Sequence, residues 1–105
     1  PRRGPVTTFI SPESLDSLIH ERVRLGIMSA LAAGGDLAFT QMRDMLKVTD
    51  GNLSVHARLL QEAGYVRLDK AFVEKRPRTT LCLTAKGRGA FEKYVASLED
   101  LVRKR

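Results

Sequence analysis

Asn52, Ser54, Val55, Arg58 and Gln61 fall on one side of a helical pattern, with Leu53, Ala57 and Leu60 at i, i+4 and i+7 on the other. The first set is suited to reading DNA bases. An asparagine amide bonds adenine in a bidentate way, an arginine bonds guanine or a phosphate, and valine methyls meet the methyl of thymine. Asp50 and Gly51 fall in the first turn, where the missing side chain of glycine lets backbone N–H groups approach a phosphate closely. Taken alone, the same face also fits a solvated helix surface with a turn-forming glycine.

A second group of charges follows at once. Residues 67–78 hold Arg67, Lys70, Lys75, Arg76 and Arg78 against Asp69 and Glu74, with Pro77 stiffening the segment. A basic hairpin tip at Lys75, Arg76 and Arg78 suits contact with a nucleic-acid backbone or minor groove. Thr40 and Gln41 open the helix before the base-reading one, where a helix start faces the DNA backbone. Capping alone also accounts for Thr40.

Other chemistry has little footing. There is no phosphate-binding glycine loop, nucleophile elbow, histidine-rich helix or convincing carboxylate pair, so no catalytic residue and no cofactor is assigned. His20 and His56 lack metal-ligand spacing and read as packed or hydrogen-bonded residues at the core edge. Cys82, the single cysteine, excludes an intramolecular disulfide and suits a reducing cytosol. It falls on the strand face opposite Leu81 and Leu83, which predicts partial exposure and leaves room for a redox role.

The 105 residues suffice for one domain with its own core. The net charge of +6 fits a polyanionic partner without identifying it. No apolar run approaches the ~18 residues a membrane span needs, and the basic, breaker-rich Pro1–Pro5 is not a signal peptide, so a cytoplasmic location is expected. Residues 1–11 read as a flexible basic arm, its start trimmed or processed, and residues 12–105 as the domain.

The elements that must position these groups can be read in order. Ser11, Pro12 and Glu13 form a helix start, with Leu15, Leu18 and Ile19 on one face. Val23, Ile27, Ala30 and Leu31 continue that helix or begin another after a kink near His20, and Gly34–Gly35 ends it. Asp36–Phe39 is a short extended link. Thr40 is expected to cap a helix with Met42, Met45 and Leu46 turned inward, and Lys47–Val48 to form the turn. The recognition helix spans about 49–63, from its Thr49 cap to Gly64. The period then changes to two: Val66, Leu68 and Phe72 alternate with Arg67, Asp69 and Ala71 in a half-buried strand. Val73–Pro77 is the expected hairpin tip, and Thr79, Leu81 and Leu83 the return strand, giving a wing over about 66–83. Thr84 caps a last helix over about 84–103. Gly87 reads as the point where that helix packs against the strands.

Along the last helix, Phe91, Tyr94, Val95, Leu98, Leu101 and Val102 alternate spacings of three and four, as a coiled-coil seam does. With Leu15, Leu18 and Ile19 of the first helix they form the expected dimer interface; a helix that only covers its own core is the other reading. The order helix, helix, helix, strand, strand, helix defines an α+β, mostly α, winged helix-turn-helix. Its predicted function is sequence-specific binding of double-stranded DNA, with Thr40, Gln41, Thr49, Asp50, Gly51, Asn52, Ser54, Val55, Arg58, Lys75, Arg76 and Arg78 at the interface. The alternatives are a protein-interaction winged helix and a non-specific architectural DNA binder. The first would show an apolar or acidic recognition face, and the second needs no base-reading side chains.

These segments resemble the winged-helix transcriptional regulators related to MarR and ArsR. They are most similar to a small single-domain group whose recognition segment resembles Thr49–Ser54 followed by His56. Further matching pieces are Leu18–His20 with Val23–Leu25, Phe39–Thr40, Glu62–Val66, Arg76–Thr80, and Leu83–Thr84 with Gly87–Arg88, together spanning residues 15 to about 102. The resemblance implies a cytosolic homodimer that binds a pseudo-palindromic operator, usually as a repressor. It carries base contacts to Asn52, Ser54, Val55 and Arg58 and wing contacts to Arg76 and Arg78. The cysteine and histidine clusters of metal-sensing relatives are missing here, so no metal is implied. Related regulators often take small aromatic effectors; no residue pattern in this shorter chain indicates one.

Overall fold

A computed structural model describes residues 15–103. The predicted cap at Ser11–Glu13, the arm at 1–11 and the last two basic residues lie outside them. Leu15–Glu21 form turns rather than the expected helix. The Asp16 carboxylate explains this: its Oδ1 accepts from the backbone N–H groups of Leu18 at 2.9 Å and Ile19 at 3.3 Å, competing with helical bonds. Helix α1 (Arg22–Gly34) starts where the Glu21 side chain accepts from the Arg24 N–H. It ends at Gly35, whose φ of 79° is the glycine stop expected from the sequence.

Leu37–Ala38 is a short strand, β1, followed by α2 (Phe39–Leu46), α3 (Asp50–Glu62), β2 (Val66–Val73), β3 (Arg76–Leu83) and α4 (Ala85–Arg103). The sheet is antiparallel in the order β1-β3-β2, with Leu37 opposite Leu81 and Val66 opposite Leu83. Val23, Ile27, Met28, Leu31, Met42, Leu53, Ala57, Leu60, Val66 and Leu81 close one core between the helices and the root of the sheet. Met45, expected inside, is 57% exposed, because α2 is short and only Met42 on it is fully buried.

The wing departs from the sequence reading in two ways. Its tip is only Glu74–Lys75, with φ of 53° and 67°; Val73, Arg76 and Pro77 belong to the strands. Positive φ at both central residues is the geometry of a tight hairpin that preserves strand twist, usually signalled by Asn-Gly. Second, the alternation of Val66, Leu68 and Phe72 does not mean equal burial. Val66 is buried and Leu68 half-buried, but Phe72 lies beyond the core.

Thr84 ties α4 to the rest. Its hydroxyl donates to the Gly64 carbonyl at 2.6 Å and accepts from the Gly87 N–H at 2.9 Å. Gly87 is buried against the backbone of Tyr65, and a Cβ there would collide with the Tyr65 carbonyl oxygen and its carbon. Gly89 meets nothing. Gly87→Ala is therefore expected to destabilise the protein by about 1–3 kcal/mol through overpacking. Gly89→Ala should stabilise it by up to ~1 kcal/mol through helix propensity. Urea unfolding of the two variants side by side checks both signs.

Candidate nucleic-acid interface

The geometry of α3 begins with its cap. The Thr49 hydroxyl accepts from the Asn52 N–H at 3.1 Å, and Asp50 adds a negative charge to the first turn, where the helix dipole favours it. The Asp50 carboxylate is also engaged by Arg43 of α2, Nη1 to Oδ1 at 3.0 Å. The Asp50 side chain thus braces the two helices, with its Arg43 partner held charged by Asp44 and then Asp50. Leu53, Ala57 and Leu60 are fully buried. That seat leaves Asn52, Ser54, Val55, Arg58 and Gln61 exposed together, with Val55 at 54%.

The flank of α3 is braced from the other side. Arg24 Nη1 lies 2.9 Å from His56 Nδ1; since a guanidinium only donates, this ring nitrogen accepts. Arg24 Nε donates to the Leu18 carbonyl at 2.6 Å, and Glu21 lies 3.5 Å from His56. One arginine therefore links the segment before α1 to the middle of α3. His20 belongs to a separate contact, with its Nδ1 2.7 Å from the Tyr94 hydroxyl. Among the described residues no group of three His, Cys, Asp or Glu side chains could hold a metal ion.

At the start of α2 the structure corrects the expected cap. The helix begins at Phe39, and Gln41 folds back so that its Oε1 accepts from the Ala38 N–H at 2.9 Å. Thr40 is exposed and is not the cap. It lines an open cleft of about 730 Å³ with Phe39, Arg76, Pro77, Arg78 and Thr79. A second cleft of about 350 Å³ separates Ser54, Arg58 and Gln61 of α3 from Lys70 and Thr79 of the wing. Phe39 and Thr79 line both clefts, so the start of α2, the outer face of α3 and the wing adjoin.

The wing charges divide into two kinds. Arg67 is bound by Asp69 through Nε at 2.8 Å and Nη2 at 3.2 Å, which holds the Asp69 carboxyl below its ordinary range. Arg58, Lys70, Lys75, Arg76 and Arg78 enter no ion pair among the described residues. Cys82, expected to be partly exposed, is buried, with its thiol 3.4 Å from Asp69. Burial first, then the hydrogen bond to Asp69, push its pKa to about 11, so the reactive thiolate is scarce at neutral pH. Lys70 is part of the α3-facing cleft although the expected site omits it. Its parity with Val66 and Leu68 on β2 is the signal that places it there.

The residues expected at a dimer seam separate. Leu15, Ile19 and Tyr94 are buried inside the protomer's own core. Leu18, Phe91 and Leu101 pack partly against that core. Val95, Leu98 and Val102 remain exposed along α4, Val102 at 64%.

Against known proteins, residues 23–102 match the family described as winged helix DNA-binding domain. An uncharacterized protein of Methanocaldococcus jannaschii is 34% identical over 84 residues, 80% of this chain and 91% of the relative. The structure of a transcriptional regulator homologue from Pyrococcus horikoshii superposes with a TM-score of 0.77 at 28% identity, covering 93% of both chains. A MarR family transcriptional regulator from Streptomyces coelicolor, solved in complex with DNA, shares the fold with a TM-score of 0.70 at 23% identity, over 95% of this chain and 65% of that one. With a buried seat that leaves α3 facing outward beside a basic hairpin, and with the match running from α1 almost to the end of α4, the chain belongs to the winged helix DNA-binding domain family.

Proposed function

We propose that this protein is a sequence-specific, double-stranded DNA-binding transcriptional regulator that occupies a pseudo-palindromic operator as a homodimer and represses from it in the cytoplasm. The observation that carries the reading is the adjoining surface of the α2 start, outer α3 and wing, with polar side chains suited to base reading flanked by cations that enter no ion pair among the described residues. Asn52, Ser54, Val55 and Arg58 read bases in the major groove. Lys75, Arg76 and Arg78, with the helix starts at Thr40–Gln41 and Thr49–Gly51, bind phosphates and supply most of the affinity and its salt dependence. A protein-interaction module would need an acidic or wholly apolar recognition face, whereas on α3 the exposed Val55 and Leu59 share the surface with Asn52, Ser54, Arg58 and Gln61.

Two further features support this assignment. A Cβ on Gly51 would meet nothing within the protein, so packing inside the chain does not require the glycine. A phosphate approaching the α3 N-terminus does. The exposed Val95, Leu98 and Val102 form one apolar strip on α4 that a second copy would cover.

The deciding experiment is selection of genomic fragments by the purified protein at ~150 mM salt, which strips weak electrostatic binding. An enriched inverted repeat with half-sites about 34 Å apart is expected. Retention without a motif would mean an architectural binder, and no retention would remove the DNA reading.

On the selected site, Arg58→Ala and Asn52→Ala should each cost about 1–3 kcal/mol while hardly changing binding to random DNA. Arg76→Ala should weaken both equally and lower the salt slope by about 1. Titrations at several salt concentrations separate the two classes, and identical behaviour would refute the division of roles. Gly51→Ala should unfold at the same or a higher temperature than wild type, by up to ~1 kcal/mol of propensity, yet bind DNA more weakly. Unchanged binding would show that nothing approaches the α3 start. Leu98→Glu combined with Val102→Glu should sediment as a monomer with unchanged helicity and lose the inverted repeat.

A further inference from the structure

Phe72 is the most exposed large hydrophobic side chain among the described residues, at 78%. It stands opposite Pro77, one pair in from the last pair of the hairpin, Val73 and Arg76. Successive side chains of a strand alternate between faces, so Phe72 shares its face with Val66, Leu68 and Lys70, and Pro77 shares it with Thr79, Leu81 and Leu83. That is the face turned toward α3, since Leu68, Lys70 and Thr79 line the cleft with Ser54, Arg58 and Gln61. Phe72 and Pro77 extend it past the helix, to the side from which a molecule seated on α3 would be met.

None of the described residues covers the ring, although leaving it in water forgoes roughly 1.5–3 kcal/mol of burial. Its neighbours on the wing, Lys70, Lys75, Arg76 and Arg78, form no ion pair among the described residues. A partner that matches both features must be anionic and must also offer apolar edges. Duplex DNA does so in its minor groove, where phosphates flank sugar and base edges; an apolar protein groove would leave four cations unmatched.

We propose that Phe72, backed by Pro77, is an apolar wedge that the wing inserts into the minor groove beside the major groove occupied by α3. There it packs on deoxyribose and base edges and loosens one base step, as inserted apolar side chains do. This rests on the DNA-binding reading above.

The sequence contains no tryptophan, so Phe72→Trp supplies a single reporter. Titrated with the selected fragment, its emission is expected to be quenched by base contact. Phe72→Ala is expected to keep the wild-type melting temperature, bind the fragment about tenfold more weakly, as loss of one base–aromatic contact predicts, and keep the wild-type salt slope, because no counterion is released by an uncharged ring. The wedge is overturned, with the DNA reading intact, if Phe72→Ala binds as wild type and Phe72→Trp emission does not respond to a fragment that the wild type holds and Arg58→Ala binds more weakly. If wild-type protein retains no DNA at all, both fall together.

Discussion

The structure depends on how narrowly α3 is seated. Three positions, Leu53, Ala57 and Leu60, hold the helix in the core, and every one is fully buried. Leu53 and Leu60 each contribute about 1.5–3 kcal/mol by leaving water. Ala57 between them buries little area, but its small side chain keeps the apolar stripe thin. A wider stripe would roll α3 inward and cover Ser54 and Arg58. Because so little surface anchors the helix, its orientation needs polar braces at its N-terminus and along its flank. Thr49 and the Arg43–Asp50 pair provide the first, and Arg24 with His56 the second.

The wing obeys a different constraint. Its strands each run eight residues, whereas the core covers only their roots, at Val66, Leu81 and Cys82. Beyond that point the pleat continues to alternate, but there is no longer an inside. Side chains on the α3-facing parity change from Val66 and Leu68 to Lys70 and Phe72 along β2, and from Leu83 and Leu81 to Thr79 and Pro77 along β3. The register fixed by the buried root therefore determines which side the exposed tip presents. A shift by one residue would turn Lys70, Phe72 and Thr79 away from α3 and bring Arg67 and Asp69 toward it.

Much of this was readable before any coordinates. α3, its Thr49 cap, its buried triad, the stop at Gly64 and the packing role of Gly87 all follow from periodicity and from residue types with one structural use. The misread features share a cause: local pattern does not report what covers a residue. Met45 and Phe72 have apolar side chains in correct periodic positions, yet each lies past the edge of the core. Cys82 reads as the outer face of a strand, but Asp69 on the neighbouring strand approaches its sulfur. Asp16 makes turns of the described segment before α1 through two side-chain bonds that compete with the helix. The Glu74–Lys75 turn carries neither asparagine nor glycine, so its positive φ values are imposed by strand pairing and left no trace in the sequence.

The same logic applies to charge. A net +6 describes the chain, not a surface. Arg24, Arg43 and Arg67 are committed to His56, Asp50 and Asp69, and they serve to position helices and stiffen the base of the wing. Among the cations that enter no ion pair among the described residues, Arg58 lies on α3 and Lys70, Lys75, Arg76 and Arg78 lie on the wing. These lie on elements that converge at Phe39 and Thr79, between the two clefts. The structural arginines are spent on bracing the fold, whereas Arg58, Lys70, Arg76 and Arg78 line the two clefts of the proposed DNA face.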